Sequence, residues 1–425
     1  MFYGYSAYSS QSILLKMLLL IVVAFIFELY ANRGLKKVFE KQKHNKWLKL
    51  FVKFNWIILI LYTISSLSYL TLTNLPCDHS IRMKYILWLN TTFILIYGSK
   101  AIFCFFILLR DILRLIRIIV EIITHKQVTS MVLIKKYFLK SGIIISSILF
   151  MLIAYGILIG RQDYKVQKVE IQLDNLPEAF NDYKIVQISD LHIGSFGNQN
   201  KFDYAIELIN ELNPDIVVFT GDMVNLKAEE ALTYVTTFNK IQAKDGKYAV
   251  LGNHDFGDYN ECYGPSHRLE NVNLLIEYQR EMGFINLQNE SICLFRGNDS
   301  IALLGVKNWA VTPYHKYGDI DMALEHCKNV PIKILLSHDP HHWEMEVKDQ
   351  YDIALTLSGH THGAQIGIDL PFYQWCPLDW MYPYWGGLYE VNQKYLYINH
   401  GLGVIGFQGR IGIRPEITLI SLISK

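Results

Sequence analysis

Two patterns of apolar positions divide the chain. Long apolar runs cover about 13–30, 54–72, 85–109 and 137–159, and short β-branched runs follow after residue 165. As a helix, each long run spans the about 30 Å of a bilayer's hydrocarbon. Four such runs in one block are not the pattern of core helices in a soluble protein. The first lacks a basic leader and a small-residue cleavage site, so it reads as a span and not as a cleavable signal. Gly160–Tyr164 is a short polar exit, and Val166 to Leu173 then alternates apolar and polar as a strand does. Beyond it, short runs alternate with amphipathic stretches, the pattern of an α/β domain. The expected organisation is an all-α transmembrane anchor of four helices over 1–160 and an α/β domain over 165–425.

Charge sharpens this division. The chain of 425 residues has a formal net charge of +1, but residues 1–160 carry 19 basic and 5 acidic side chains against 21 and 34 in the remainder. Such an acidic second part argues against nucleic acid as a partner. The loop after the first run holds Arg33, Lys36, Lys37, Lys41, Lys43, Lys46 and Lys49 against Glu40. The loop after the third holds Arg110, Arg114, Arg117, Lys126, Lys135 and Lys136 against Asp111 and Glu121. Basic loops stay in the cytoplasm, so the N-terminus and the α/β domain are expected outside, with Arg110 to Lys126 along the inner membrane face. The six cysteines include no CxxC pair and imply no zinc knuckle.

Candidate chemistry gathers at the ends of five short runs. Lys184–Ser189 leads into Asp190-Leu-His192, and Ile216–Thr220 into Gly221-Asp222. Tyr248–Leu251 leads into Gly252-Asn-His-Asp255, Ile332–Ser337 into His338-Asp339, and Ile353–Ser358 into Gly359-His-Thr-His-Gly363. In α/β sheets functional groups collect where strands give way to loops. Carboxylate, imidazole and amide donors in this number suit borderline divalent ions, and they exceed what one tetrahedral ion needs.

These motifs, in this order, resemble the calcineurin-like metallophosphoesterases, over about residues 165–425. Ser189–His192, Ser358–Gly363 and Arg414–Thr418 look like the membrane-linked bacterial branch of that family. The resemblance implies a β-sandwich flanked by helices and two divalent ions, with Mn, Zn or Fe as candidates. It implies that Asp190, His192 and His362 hold one ion, that Asn253, His338 and His360 hold the other, and that Asp222 bridges them. A hydroxide shared by the ions would attack phosphorus. His254 would sit beside the phosphate as general acid or electrostatic helper, with Asp255 as its orienting partner. The implied activity is hydrolysis of a phosphate ester, whether monoester, diester or pyrophosphate, at a bacterial cell membrane.

Other features concern substrate choice. Pro371 to Glu390 contains Phe372, Tyr373, Trp375, Trp380, Tyr382, Tyr384, Trp385 and Tyr389. This segment is either a packed cap over the sheet or an interfacial patch for a lipid-bearing substrate. Amphiphilic phosphodiesters or pyrophosphates, wall polymers, phospholipids and released nucleotides all stay open. In the glycine-rich segment Gly401–Gly412, Arg410 is a candidate for a substrate phosphate or for an internal salt bridge. The family pattern often has arginine where this chain has His400, so no role carries over there. His341 and His342 read as helix-start or rim residues, His267, His315 and His326 as surface residues, and Asp258 as a candidate pocket residue. A silent scaffold or sensor would have lost ligands, and none of the expected set is missing. A transporter would need a polar pathway, and the runs offer only Glu28, Lys100 and Lys140.

Overall fold

A computed structural model describes residues 10–39, 46–73, 79–127, 131–196, 199–260, 264–311, 316–370 and 372–425. Lys41, Lys43, Glu40, Cys77, Cys262, His315, Pro371 and the first nine residues lie outside them. The chain forms two compact units, Met1–Ile157 and Leu158–Lys425.

The first unit is helical. It contains α1 (Ser10–Val38), α2 (Lys46–Thr73), α3 (His79–Phe93), α4 (Ser99–Thr124) and α5 (Met131–Leu158). A π-helical turn, Ile94–Gly98, joins α3 to α4, so the third expected run belongs to one long helical stretch. Among the described residues, four helical stretches are long and apolar enough to cross a membrane. Their outer surfaces carry exposed Leu19, Ile26, Leu61, Ile64, Phe105 and Met151, as helices solvated by lipid do. Inside, Glu28 is fully buried, pairs with Lys100 and accepts a hydrogen bond from Asn32. These intramembrane charges therefore neutralise one another. The basic residues expected along the inner face continue α4 without a break as far as Thr124, and His125 in the left-handed region ends it.

The second unit is a sandwich of two six-stranded sheets. The strands are β1 (Lys165–Leu173), β2 (Tyr183–Ile188), β3 (Ile216–Phe219), β4 (Gly246–Ala249), β5 (Phe284–Asn286), β6 (Glu290–Arg296), β7 (Asp299–Gly305), β8 (Lys333–Leu336), β9 (Leu355–Ser358), β10 (Ile368–Leu370), β11 (Tyr373–Trp375), β12 (Gly387–Val391), β13 (Lys394–Ile398) and β14 (Glu416–Ser424). One sheet has the order β1-β14-β2-β3-β4-β5 and the other β12-β13-β9-β8-β7-β6, while β10 and β11 form a separate hairpin. Strands β2 to β5 are parallel to one another, as are β7, β8, β9 and β13.

Facing side chains fill the space between the sheets. Ile185, Val218 and Tyr248 from the first sheet join Ile301, Ile334, Leu336, Leu357 and Tyr397 from the second in one buried cluster. The outer face of the first sheet is covered by α6 (Asp203–Glu211), α7 (Val235–Asn239) and α8 (Pro265–Glu281), through residues such as Ile206, Phe238 and Leu275. The outer face of the second is covered by α9 (Ile320–Leu324) and the helical turn Trp343–Val347 that leads into α10 (Lys348–Gln350). Both faces of each central strand are thus covered, which explains why β3, β8 and β9 are buried along their whole length and not at alternate positions. The five polar clusters follow β2, β3, β4, β8 and β9.

Candidate metal centre

Each cluster begins where a parallel strand ends, and the backbone there leaves ordinary conformations. Asp190, His192, Asp222, His360 and His362 have φ of 51°, 42°, 61°, 72° and 53°. Non-glycine residues in such regions cost on the order of 1–3 kcal/mol each and gather at functional sites. Two glycines make the close approach feasible. A Cβ on Gly252 would lie 2.3 Å from Asp222 Oδ1, and one on Gly359 would lie 2.3 Å from Asp190 Oδ2.

The side chains converge on two adjoining points. At the first, His362 Nε2 lies 3.2 Å from Asp190 Oδ1 and 3.1 Å from His192 Nε2. At the second, Asn253 Oδ1 lies 3.1 Å from His338 Nε2 and 2.9 Å from His360 Nδ1. Asp222 Oδ2 touches both groups, at 3.6 Å from His192 Nε2 and 3.1 Å from His338 Nε2. All seven residues expected from the sequence therefore stand together. Clusters with the geometry to hold a metal are formed by Asp190, His192 and His362, by Asp222, His338 and His360, and by His192, Asp222 and His254.

The hydrogen bonds behind the site decide which atoms face its centre. His338 Nδ1 donates to the carbonyl of Thr220 at 2.8 Å, and His192 Nδ1 meets Asn225 Oδ1 at 3.1 Å. The Nε2 lone pairs then point inward, toward carboxylate and amide oxygens that also only accept. Acceptors packed this closely repel one another unless a cation lies between them, so the donor set fits divalent metal. Charge tells the same story. The demand for positive charge shows at His338: burial disfavours a proton there, yet Asp222 outweighs it and raises the imidazole to about 10, and a metal on Nε2 would take that proton's place. Burial chiefly keeps His192 and His360 neutral, the form that donates to a metal. For Asp222 the neighbouring imidazoles, His338 foremost, overcome burial and hold the carboxyl well below its usual range.

His254 and Asp255 take different places. The His254 backbone amide donates to Asp222 Oδ1 at 2.8 Å, and its Nδ1 donates to the Asn225 carbonyl at 2.8 Å. Its ring stacks on Tyr259, whose hydroxyl accepts from Asn253 Nδ2 at 2.8 Å. Asp255 does not orient the His254 ring. Its carboxylate instead accepts from the backbone amides of Asp222, Met223, Val224 and Gly252 at 2.8–3.2 Å, tying the loop after β3 to the loop after β4. Burial, followed by the charge of Asp222, raises the Asp255 carboxyl to about 7.

Two neighbours, Asn225 and Tyr382, were not legible in the motifs, and Asp339 stands in one of them beside His338. Asn225 accepts from His192 through its side chain and from His254 through its carbonyl. Tyr382, from the aromatic segment, brings its hydroxyl to 3.4 Å from His360 Nε2 and tilts against His341. Asp339 accepts from the amide and Nδ1 of His341, and lies 4.0 Å from His360 Nε2. The Asn225 side chain gives a direct test. Asn225→Leu removes the acceptor that orients His192 and is expected to weaken metal affinity by about 10–100-fold, read by chelator competition.

The remaining expectations are sorted by burial and contact. Arg410 brings Nη2 to 3.5 Å from Nδ1 of His362. It is buried and donates to the carbonyls of His400, Gly401, Gly403 and Arg414 at 2.7–3.5 Å. His400 Nδ1 pairs with the buried Glu416 at 2.9 Å. His342 is buried, with Nδ1 2.9 Å from Ser337 Oγ, and His267 and His326 are exposed. Asp258 pairs with Arg268 at 3.0 Å. The aromatic segment divides: Trp385 and Cys376 are packed inside, whereas Phe372 and Trp380 are 85% and 86% exposed. Among the described cysteines, Cys104, Cys293, Cys327 and Cys376 are free thiols.

A family model for calcineurin-like phosphoesterases matches residues 183–364, and one for the transmembrane domain of probable calcineurin-like phosphoesterases matches residues 11–161. The uncharacterized metallophosphoesterase YkuE of Bacillus subtilis is 31% identical over 257 residues, covering 59% of this chain and 82% of that protein. The chain belongs to the calcineurin-like metallophosphoesterases. A transmembrane protein with metallophosphoesterase domain from Danio rerio is 32% identical over 278 residues, which is 64% of this chain. The match spans 60% of that relative's length. The crystal structure of phosphopantetheinyl hydrolase from Mycobacterium tuberculosis aligns with 51% of this metallophosphoesterase and 88% of its own chain, at 12% identity and a TM-score of 0.29. So distant a likeness carries no argument about substrate.

Proposed function

We propose that this metallophosphoesterase hydrolyses a phosphate ester at a centre for two divalent ions. The observation that carries the reading is the shared position of Asp222 Oδ2, within 3.6 Å of His192 Nε2 and 3.1 Å of His338 Nε2. Asp190, His192 and His362 would hold one ion, Asn253, His338 and His360 the other, and Asp222 both; Mn, Zn or Fe suits these donors. When bound, such a pair supplies a water ionised near neutral pH and a clamp on the phosphate's non-bridging oxygens.

The chain's own residues do the rest. Asn225 and the Thr220 carbonyl fix the imidazoles that face the centre, and Asp255 fixes the two loops that carry Asp222 and Asn253. His254 is held through Nδ1, so only its imidazolium form carries a second proton, on Nε2, which it gives to the departing oxygen and leaves the ring neutral. Burial lowers the proton affinity of this ring. His254→Asn is expected to reduce turnover by about 10²–10⁴-fold with metal content unchanged, most severely for esters with basic leaving groups. Equal losses for good and poor leaving groups would remove the proton-donor role.

An amphiphilic substrate is favoured by exposed Phe372 and Trp380 on the segment that also brings Tyr382 to His360. The excess of basic residues in the loops after the first and third spans favours an extracytoplasmic site. The decisive experiment offers the purified chain, loaded in turn with Mn, Zn, Fe or Mg, a panel of monoesters, diesters and lipid pyrophosphates. No hydrolysis with any metal would defeat the reading. Resistance of residues 165–425 to protease in opened envelopes would defeat the orientation alone.

A further inference from the structure

A recess of about 330 Å³ opens between α1 and α2 in the helical unit, lined by Leu29, Asn32, Arg33, Lys36, Lys37 and Trp56. Among the described residues, no acidic side chain lines it. Arg33, Lys36 and Lys37 stand at spacings of three and four residues, so they share one helix face. Lys36 and Lys37 also fall in the last turn of α1, where cations complement the helix dipole. The dipole explains neither Arg33 nor a cavity beside the three cations. Among the described residues, none of the three makes an ion pair. Asp111 of α4, which bears electrostatically on Lys37, is engaged by Arg110 and by the Tyr30 hydroxyl.

Two further observations point to a ligand. Asn32 is only 4% exposed; its Nδ2 donates to Glu28, while its Oδ1 has no hydrogen-bond partner. The lining also changes character along the helix. Leu29 and Trp56 make an apolar floor, and from Leu29 to Lys37 the axis rises roughly 12 Å to a cationic rim. The first apolar run ends near Tyr30, so the rim of Arg33, Lys36 and Lys37 lies at the level where headgroups begin.

We propose that this recess binds the phosphate-bearing headgroup of an anionic membrane lipid. The guanidinium of Arg33 and the ammonium groups of Lys36 and Lys37 take the phosphate oxygens. The first carbons of the lipid lie on Leu29 and Trp56. A free phosphate would satisfy the rim and leave the floor bare. The site is separate from the metal centre and does not depend on its activity.

Native mass spectrometry of the full chain in detergent tests this, with dioleoylphosphatidylglycerol, dioleoylphosphatidylcholine and inorganic phosphate as probes. One phosphatidylglycerol is expected to be retained at least about tenfold better than phosphatidylcholine, since cations near a membrane surface attract anionic headgroups. Replacing Arg33, Lys36 and Lys37 by glutamine should abolish the preference, whereas glutamine at Lys46, Lys49 and Lys126 should preserve it. Leu29→Trp, which fills the floor and keeps the cations, should also reduce retention. Circular dichroism and gel filtration confirm that each variant is folded, and the single substitution Lys36→Glu serves if the triple variant is not. Equal retention of both lipids, equal loss in both triple variants, or displacement of the lipid by inorganic phosphate at equal concentration would overturn the proposal.

Discussion

Asp222→Asn is expected to lower turnover by at least about 10³-fold, or roughly 4 kcal/mol at the barrier, and to leave no more than one ion bound per chain. Asp222 uses its two oxygens differently. Oδ1 accepts the His254 amide at 2.8 Å, and Oδ2 stands between His192 and His338. An asparagine that keeps the first contact turns its NH₂ toward the two imidazole nitrogens, where a cation is needed. The fold should survive, because asparagine tolerates the left-handed backbone found at this position. Elemental analysis and a turnover assay on the same preparation check both halves. Asn253→Ala makes the comparison, since it should weaken the ion beside His338 and His360 and spare the one beside Asp190. Full activity in Asp222→Asn would end the two-ion reading.

Arg410→Met is expected to destabilise the phosphoesterase unit by about 3 kcal/mol or more, because it strips several buried carbonyls of their donor. For a unit of this size that corresponds to roughly 6–12 °C in melting temperature. The affected loop is tied directly to the site: Leu402 and Gly403 donate to the carbonyls of Ser189 and Asp190 at 2.9 and 2.8 Å. Metal affinity should therefore fall together with stability. Lysine should rescue poorly, since one ammonium cannot reproduce a planar fork of donors. A normal melting curve with a large rise in KM would instead place the guanidinium on the substrate.

The sequence revealed the parts of the site that depend on chain direction. Ligands follow β2, β3, β4, β8 and β9 because a strand end is a local event, marked by an apolar run and a polar cluster, with a glycine between them after β3, β4 and β9. Partners chosen by three-dimensional packing left no such mark. Asp255 adjoins His254 in the chain, which suggests that the two side chains pair; the turn sends its carboxylate onto four amides instead. Asn225 acts on His254 through a backbone carbonyl, which any residue carries. Tyr382 reaches His360 from one of the eight aromatics in its segment, and no spacing distinguishes it from the rest. Arg410 looked like an anion binder because arginine often is one; burial among carbonyls decides otherwise. The four apolar helices were legible from length and composition alone, but the π-turn that joins α3 to α4 was not.

The order of strands in the first sheet bears on how the protein is made. β14 lies between β1 and β2, paired with β1 in parallel from Lys165–Glu416 to Leu173–Ser424 and with β2 in antiparallel. The first strand to leave the ribosome must therefore wait for the last before it can join the sheet. Contacts so distant in sequence form slowly, and an unpaired β1 edge is open to pairing with the wrong chain meanwhile. A nascent chain arrested before Glu416 should carry complete helical spans and a phosphoesterase unit still sensitive to protease, and release of the remaining residues should close it.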